Sequence, residues 1–166
     1  MSQLIHTLDP KLLAEATADV RYANSPFRAL KTLGPKVRGS RYEKITIDLM
    51  KALGHKYSRR TSTQSDARFD DTEYEIKGSM LGKNSDQFSF LQIRPNQNYD
   101  SLMFTMLYPD RVVIMTMTKD QVKHNVEQNV FKKQHEGKEG LGATYSYYGN
   151  QQTLSEIGAT LLHEIT

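Results

Sequence analysis

The segment SDARFDDTEYEIKGS, residues 65–79, crowds Asp66, Asp70, Asp71, Glu73, Glu75 and Lys77 together. Like charges repel and aspartate is a poor strand former, yet the flanking residues alternate as a β-hairpin does. With Asp70-Asp71 as a two-residue turn, Phe69 faces Thr72, Arg68 faces Glu73, Ala67 faces Tyr74 and Asp66 faces Glu75. Opposed hairpin residues lie about 5 Å apart at Cβ, so the last pair needs a counter-charge. Alternation puts Lys77 on the Glu75 face and turns Tyr74 and Ile76 the other way, toward a core. Two carboxylates and one ammonium then share a face.

That set suits phosphodiester hydrolysis. Mg²⁺, with Mn²⁺ as substitute, prefers hard oxygen ligands and commonly takes one or two carboxylates. Held by Asp66 and Glu75, with the Ile76 carbonyl as a further donor, such an ion stabilises charge at phosphorus and acidifies a water. Lys77 orients the nucleophile and offsets developing charge. The rival reading is a solvated turn with charged flanks. Aspartate suits turns, and the acid-x-Lys pattern recurs at Asp9-Pro10-Lys11 and Glu136-Gly137-Lys138. Only Glu75-Ile76-Lys77 lies in a strand behind an aspartate in register. That favours the metal site, and Asp66 over Asp70 or Asp71 as its ligand.

Outward from the hairpin, the N-terminal third, residues 1–54, reads helical. Asp9-Pro10 opens a helix to about residue 22, Ser25-Pro26 opens a short one, and Gly34-Pro35 stops it. Ser40 starts the strongest helix, with Tyr42, Ile45, Leu49, Met50 and Leu53 at helical spacing before Gly54. HKYSRRT predicts a short strand, and QFSFLQIR, apolar on both faces, a buried central one. SLMFTMLY and RVVIMTMT predict two more around Pro109-Asp110. Thr118 caps a helix to about Phe131, KKQHEGKEGLGA reads as a loop, and TYSYYG as a last short strand. Thr153 and Glu156 form a capping box opening a helix to the C-terminus. The expectation is an α/β fold with a central mixed sheet of about five strands flanked by helices.

The 166 residues, 37% hydrophobic and 25% charged, fit one domain over 1–166 with a buried core. No cysteine is present, which excludes disulfides and thiolate zinc sites. No apolar run approaches the roughly 20 residues of a membrane helix, and MSQLIHTLDPK is not a secretion signal. A cytoplasmic protein is expected, with no membrane partner. The net charge of +3 is a mild pointer to a polyanion. The five histidines show no ligand spacing, and no Gly-rich loop implies a nucleotide cofactor.

On Asp66 and Glu75-Ile76-Lys77, the chain resembles the PD-(D/E)xK nuclease superfamily, which has the restriction-endonuclease-like fold. The family's helix, motif-bearing hairpin, further strands and helix match residues 40–131, the expected catalytic core. YEIKGS, FSFLQIRP and YDSLMF also resemble segments of bacterial type II restriction enzymes. Ser65 stands where the family's motif has proline. The resemblance implies a metal-dependent endonuclease, bacterial or phage-encoded, with Asp66 and Glu75 on the metal and Lys77 on the attacking water. It also implies a glutamate on the preceding helix for a second metal or its water. Glu43 stands at the matching position, but it can equally be the N3 member of a capping box begun by Ser40. Gln92 either reaches the site edge or satisfies backbone groups in a packed sheet.

Double-stranded DNA is the expected partner. Arg59 and Arg60 precede the Asp66 strand, where they can hold phosphates, and Lys83 and Asn84 follow the catalytic strand. Arg94, Asn96, Gln97 and Asn98 offer guanidinium and amide groups, which suit guanine and adenine edges. Lys132, Lys133, His135 and Lys138 lie in the late polar loop. Each taken singly also reads as an ordinary surface residue. A homodimer matches a palindromic site. The alternatives are a structure-selective repair or recombination nuclease and a non-catalytic DNA-binding module of the same fold.

Overall fold

The computed structural model describes residues 19–137 and 142–166. The helix expected at 10–22 lies mainly outside them, as does Lys138. The chain first makes two 3-10 turns, Val20–Tyr22 and Arg28–Thr32. The long helix α1 spans Pro35–Ala52. Gly34-Pro35 therefore begins a helix where a stop was expected. Proline at the first helical position lacks only an N–H that has no partner there, and its fixed φ already suits the helix. Ser40 lies inside α1, its hydroxyl donating to the Lys36 carbonyl at 3.4 Å, so it caps nothing.

After β1 (Tyr57–Ser58), β2 (Ala67–Phe69) and β3 (Thr72–Met80) form the expected hairpin, with Phe69, Arg68 and Ala67 opposite Thr72, Glu73 and Tyr74. Asp70 and Asp71 take φ of 49° and 68°, the left-handed pair that a two-residue hairpin turn needs. The chain continues through β4 (Phe88–Ile93), β5 (Ser101–Leu107), β6 (Val112–Thr118) and α2 (Lys119–Glu127). β7 (Lys132–His135), β8 (Thr144–Gly149), α3 (Gln151–Glu156) and β9 (Thr160–Ile165) follow.

The architecture is mixed α/β, as expected, with six strands in the main sheet in the order β1-β2-β3-β5-β6-β9 and three in a second sheet, β4-β8-β7. β3 and β5 are parallel, and the other pairs of the main sheet are antiparallel. Four expectations are corrected. QFSFLQIR is an edge strand of the second sheet, irregular between Phe90 and Ile93, with Gln92 at φ 56° and Leu91 exposed. Its apolar run is explained by Phe88, Phe90 and Ile93 packing inward. Lys132 to His135 form a strand where a loop was expected. The helix after Thr118 ends at Glu127. The C-terminal helix is one short piece, capped by Asn150, before the chain turns into β9.

The pairing registers sort the main sheet into two faces. Ile76, Gly78 and Thr105 meet α1, and the Thr46 and Thr105 hydroxyls share a hydrogen bond of 2.7 Å. On the other face Phe104 meets Phe90 of the second sheet edge-on, with centroids 4.9 Å apart. Sheet and helix pack directly against each other at Gly78. A Cβ there would lie 2.2 Å from Tyr42 Cβ and 2.7 Å from its Cγ. Nothing larger than glycine fits without moving α1 and, with it, Glu43. Gly78→Ala is expected to lower stability by about 1–3 kcal/mol through this overpacking, measured by urea unfolding. An unchanged midpoint would mean that α1 shifts freely.

Candidate active site

β2 stops pairing at Ala67, so from Ile76 onward one edge of β3 has no strand beside it among the described residues. Asp66 fills the first vacancy. Its N–H donates to the Tyr74 carbonyl at 2.8 Å, and its Oδ2 accepts the Ile76 N–H at 2.7 Å. The side chain thus continues the ladder where the backbone leaves it, and its carboxylate stands against that of Glu75. A strand residue turns its N–H and C=O to the same neighbour, so the Ile76 carbonyl also faces this edge.

Glu75 is buried, 6% exposed, and its Oε1 accepts from Lys77 Nζ at 2.7 Å. Burial pushes the Glu75 carboxyl above the usual range. Lys77 opposes the rise and the Asp66 charge adds to it. Glu43 comes from α1 and is half-buried. Burial, then the Asp66 charge, raises it against the pull of Arg60 and Lys77. With Ser40 inside the helix, the capping-box reading of Glu43 falls and its place beside Asp66 remains.

Glu73, another acid of the cluster, anchors the loop before Asp66. It accepts from the Thr61 amide at 2.6 Å, the Thr61 hydroxyl at 2.8 Å and the Ser65 hydroxyl at 2.5 Å. Burial opposes its charge, but the Ser65 and Thr61 hydrogen bonds and Arg68 prevail and hold it below the usual carboxylate range. Arg60 fastens the same loop by donating to the Ser65 carbonyl.

A groove of about 980 Å³ lies between α1, the open edge of β3 and β4. Glu43, Asp66, Glu75, Ile76, Lys77, Lys83 and Gln92 all border it. So do Lys31, Lys36 and Arg38, which the sequence reading missed. Starting α1 at Pro35 would have revealed part of this set, because Lys36, Gly39 and Glu43 then recur at helical spacing on one face.

The remaining candidates scatter. Asn84 sits in the turn after β3 with φ 54°. Arg94, with Gln92 and His135, lines a separate cavity of about 520 Å³. Asn96 lies against Gly142. The Gln97 carbonyl accepts from Lys119, and the Asn98 amide donates to Gln64. Lys132 bonds the Asn129 carbonyl and Lys133 pairs with Glu136, both on β7 away from the groove. Arg59 is exposed.

The donor set at Asp66 and Glu75 fits a hard divalent cation. One oxygen of each carboxylate is engaged, by Ile76 N–H and by Lys77. The two carboxylates also lie against each other, which raises Glu75 further. Among the described residues, no three His, Cys, Asp or Glu side chains gather into a metal cluster.

No protein-family model matches the chain. No curated protein matches it. Among solved structures, a restriction endonuclease in complex with substrate DNA is similar, with a TM-score of 0.47 and 13% identity, covering 95% of this chain and 86% of that one. Among the described residues no helix is long and apolar enough to cross a membrane.

The raised Glu43 has a pH signature. A folded-state pKa above the unfolded value contributes stability that is fully present below about pH 4.3 and lost as pH rises through the folded value. Glu43→Gln cannot ionise, so it should melt above wild type at pH 8, with the gap closing toward pH 4. Equal melting temperatures across that range would mean that Glu43 is not desolvated beside Asp66.

Proposed function

We propose that this protein is a Mg²⁺-dependent endodeoxyribonuclease that hydrolyses duplex DNA at a short specific sequence, in the manner of a type II restriction enzyme. The observation that carries the reading is the set of Glu75, the Ile76 carbonyl and Lys77 on β3, with Asp66 docked from the end of β2 onto the Ile76 N–H, all bordering an open groove. Asp66, Glu75 and the Ile76 carbonyl would hold the ion. When bound, it supplies a Lewis acid for the phosphodiester and lowers the pKa of a water.

The chain's own groups do the rest. Lys77, held by Glu75, positions the attacking water and faces the charge that grows on the phosphoryl oxygens. The water oxygen forms a bond to phosphorus as the bond to the leaving sugar oxygen breaks, giving a phosphate monoester and a hydroxyl. Glu43, raised by burial and by the Asp66 charge, would take a proton from the nucleophile's side. Lys36, Arg38 and Lys83 border the groove where flanking phosphates would run, and Lys31 sits among them, tied to Asp19 and the Leu81 carbonyl. Two-fold symmetry matches a palindromic site, so a homodimer is the working assembly, a bacterial or phage-encoded enzyme acting in the cytoplasm.

Incubation with unmodified plasmid DNA tests this. Discrete fragments should require Mg²⁺ or Mn²⁺, and Lys77→Ala or Asp66→Asn should slow cleavage by at least about 10²-fold. Both variants should keep the wild-type fold by circular dichroism. Intact plasmid and intact branched DNA under every condition would overturn the nuclease reading. Cleavage of branched DNA alone would assign a structure-selective nuclease instead.

A further inference from the structure

Two large side chains stand in water beside the groove and take no part in the chemistry above. Leu91 on β4 is 43% exposed and borders the groove, and Tyr148 on β8 is 58% exposed. Strand pairing puts them on one face. Ser89 lies opposite Tyr148, and opposed residues of an antiparallel pair share a face. Ser89 borders the groove too, so this face of the second sheet continues the groove wall. The next pair, Phe90 with Tyr147, turns the other way and is buried. Leu91 comes two residues after Ser89, diagonal to Tyr148 and roughly 7–8 Å from it. The short Ser89 side chain between them leaves both open to solvent.

The irregularity in β4 protects one apolar residue and leaves the other out. Strict alternation would follow outward Leu91 with inward Gln92 and outward Ile93. The register instead shifts between Phe90 and Ile93, with Gln92 at φ 56°. Ile93 thereby returns to the core, and Leu91 and Gln92 stay exposed. A left-handed φ is strained for a residue with a Cβ, and such strain and such bulges gather beside functional sites.

The surrounding charge identifies what covers the pair. Lys132 on β7 lies opposite Ser146, which alternates onto the Tyr148 face of β8. Lys36, Arg38 and Lys83 border the groove. Ser89, Leu91, Gln92, Ser146 and Tyr148 are neutral and Lys132 is basic, so these side chains complement a polyanion. Leucine has no use for a phosphate. On a nucleic acid its partners are base faces and thymine methyls, and tyrosine stacks on bases.

We propose that Leu91 and Tyr148 are base-contacting residues, which meet the bases of duplex DNA beside the scissile phosphodiester while the neighbouring cations hold its phosphates. The inference rests on the nuclease reading for the identity of its partner. Phosphate contacts set position and base contacts set sequence preference. The pair therefore assigns part of that preference to β4 and β8, outside the amide-rich segment that follows β4.

Fluorescence anisotropy with a labelled mixed-sequence duplex tests this, in a Lys77→Ala parent that leaves the duplex uncut. Leu91→Ala and Tyr148→Ala should each weaken binding at least about fivefold. Tyr148→Phe should bind as the parent does, because the ring makes the contact. The slope of log affinity against log salt should stay unchanged in both alanine variants and become shallower by about one in Lys36→Ala. Both side chains are exposed, so the variants should melt with the parent. Parental affinity in both alanine variants, or a weaker affinity with a shallower salt slope, overturns the inference and leaves the nuclease reading standing. A parent that binds no duplex at low salt overturns the nuclease reading and this inference with it. A dimeric parent and a monomeric Tyr148→Ala by light scattering would assign the face to a second copy of the chain instead.

Discussion

The site depends on one substitution of a side chain for a strand. β2 releases β3 after Ala67, and the Asp66 carboxylate takes the Ile76 N–H that a continuing strand would have bonded. A longer β2 would satisfy the edge of β3 and fill the groove. With neither strand nor carboxylate, a buried backbone donor would lack a partner. The carboxylate does both jobs: it ends the sheet locally and stands beside Glu75 at the point where the edge opens.

Neighbouring acids on β3 show how environment divides their roles. Glu73 and Glu75 are both buried and lie on the same face of one strand. Glu73 receives hydrogen bonds from the Thr61 amide and the Thr61 and Ser65 hydroxyls and stays ionised below its usual range. Glu75 accepts from Lys77 and has the Asp66 carboxylate against it, so its charge is held at a cost. The first arrangement is that of an anchor, since it fixes the loop that delivers Asp66. The second leaves charge to be relieved, which is what a cation site requires.

Close packing brings the remaining wall into place. Gly78 lets Tyr42 lie directly on β3, and the next residue along α1, Glu43, then reaches the groove. Tyr22 donates to the Leu107 carbonyl at 2.6 Å and accepts from the Leu81 amide at 3.0 Å. That pins the 3-10 turns against the far end of the same open edge and sets Lys31 at its border. Phe90 on Phe104 carries the second sheet over the opposite face, which makes β4 the other wall.

The sequence by itself determined the hairpin. Its turn needs two residues tolerant of positive φ, and strict alternation then dictates which side chains share a face, so Glu75, Lys77 and the core-facing Ile76 were legible from spacing alone. The short-range cap at Thr118 was legible for the same reason. What spans long separations was not. QFSFLQIR reads as a central strand because an apolar run records burial without recording which sheet does the burying. β9 reads as helix because its local pattern does not reveal its pairing with β6. Only the tertiary structure decided that β2 stops at Ala67, that Glu43 leaves its helix toward Asp66, and that Lys36 and Arg38 border the same groove. Each depends on where a distant element docks, and docking is set by packing across the fold and not by the residues next in sequence.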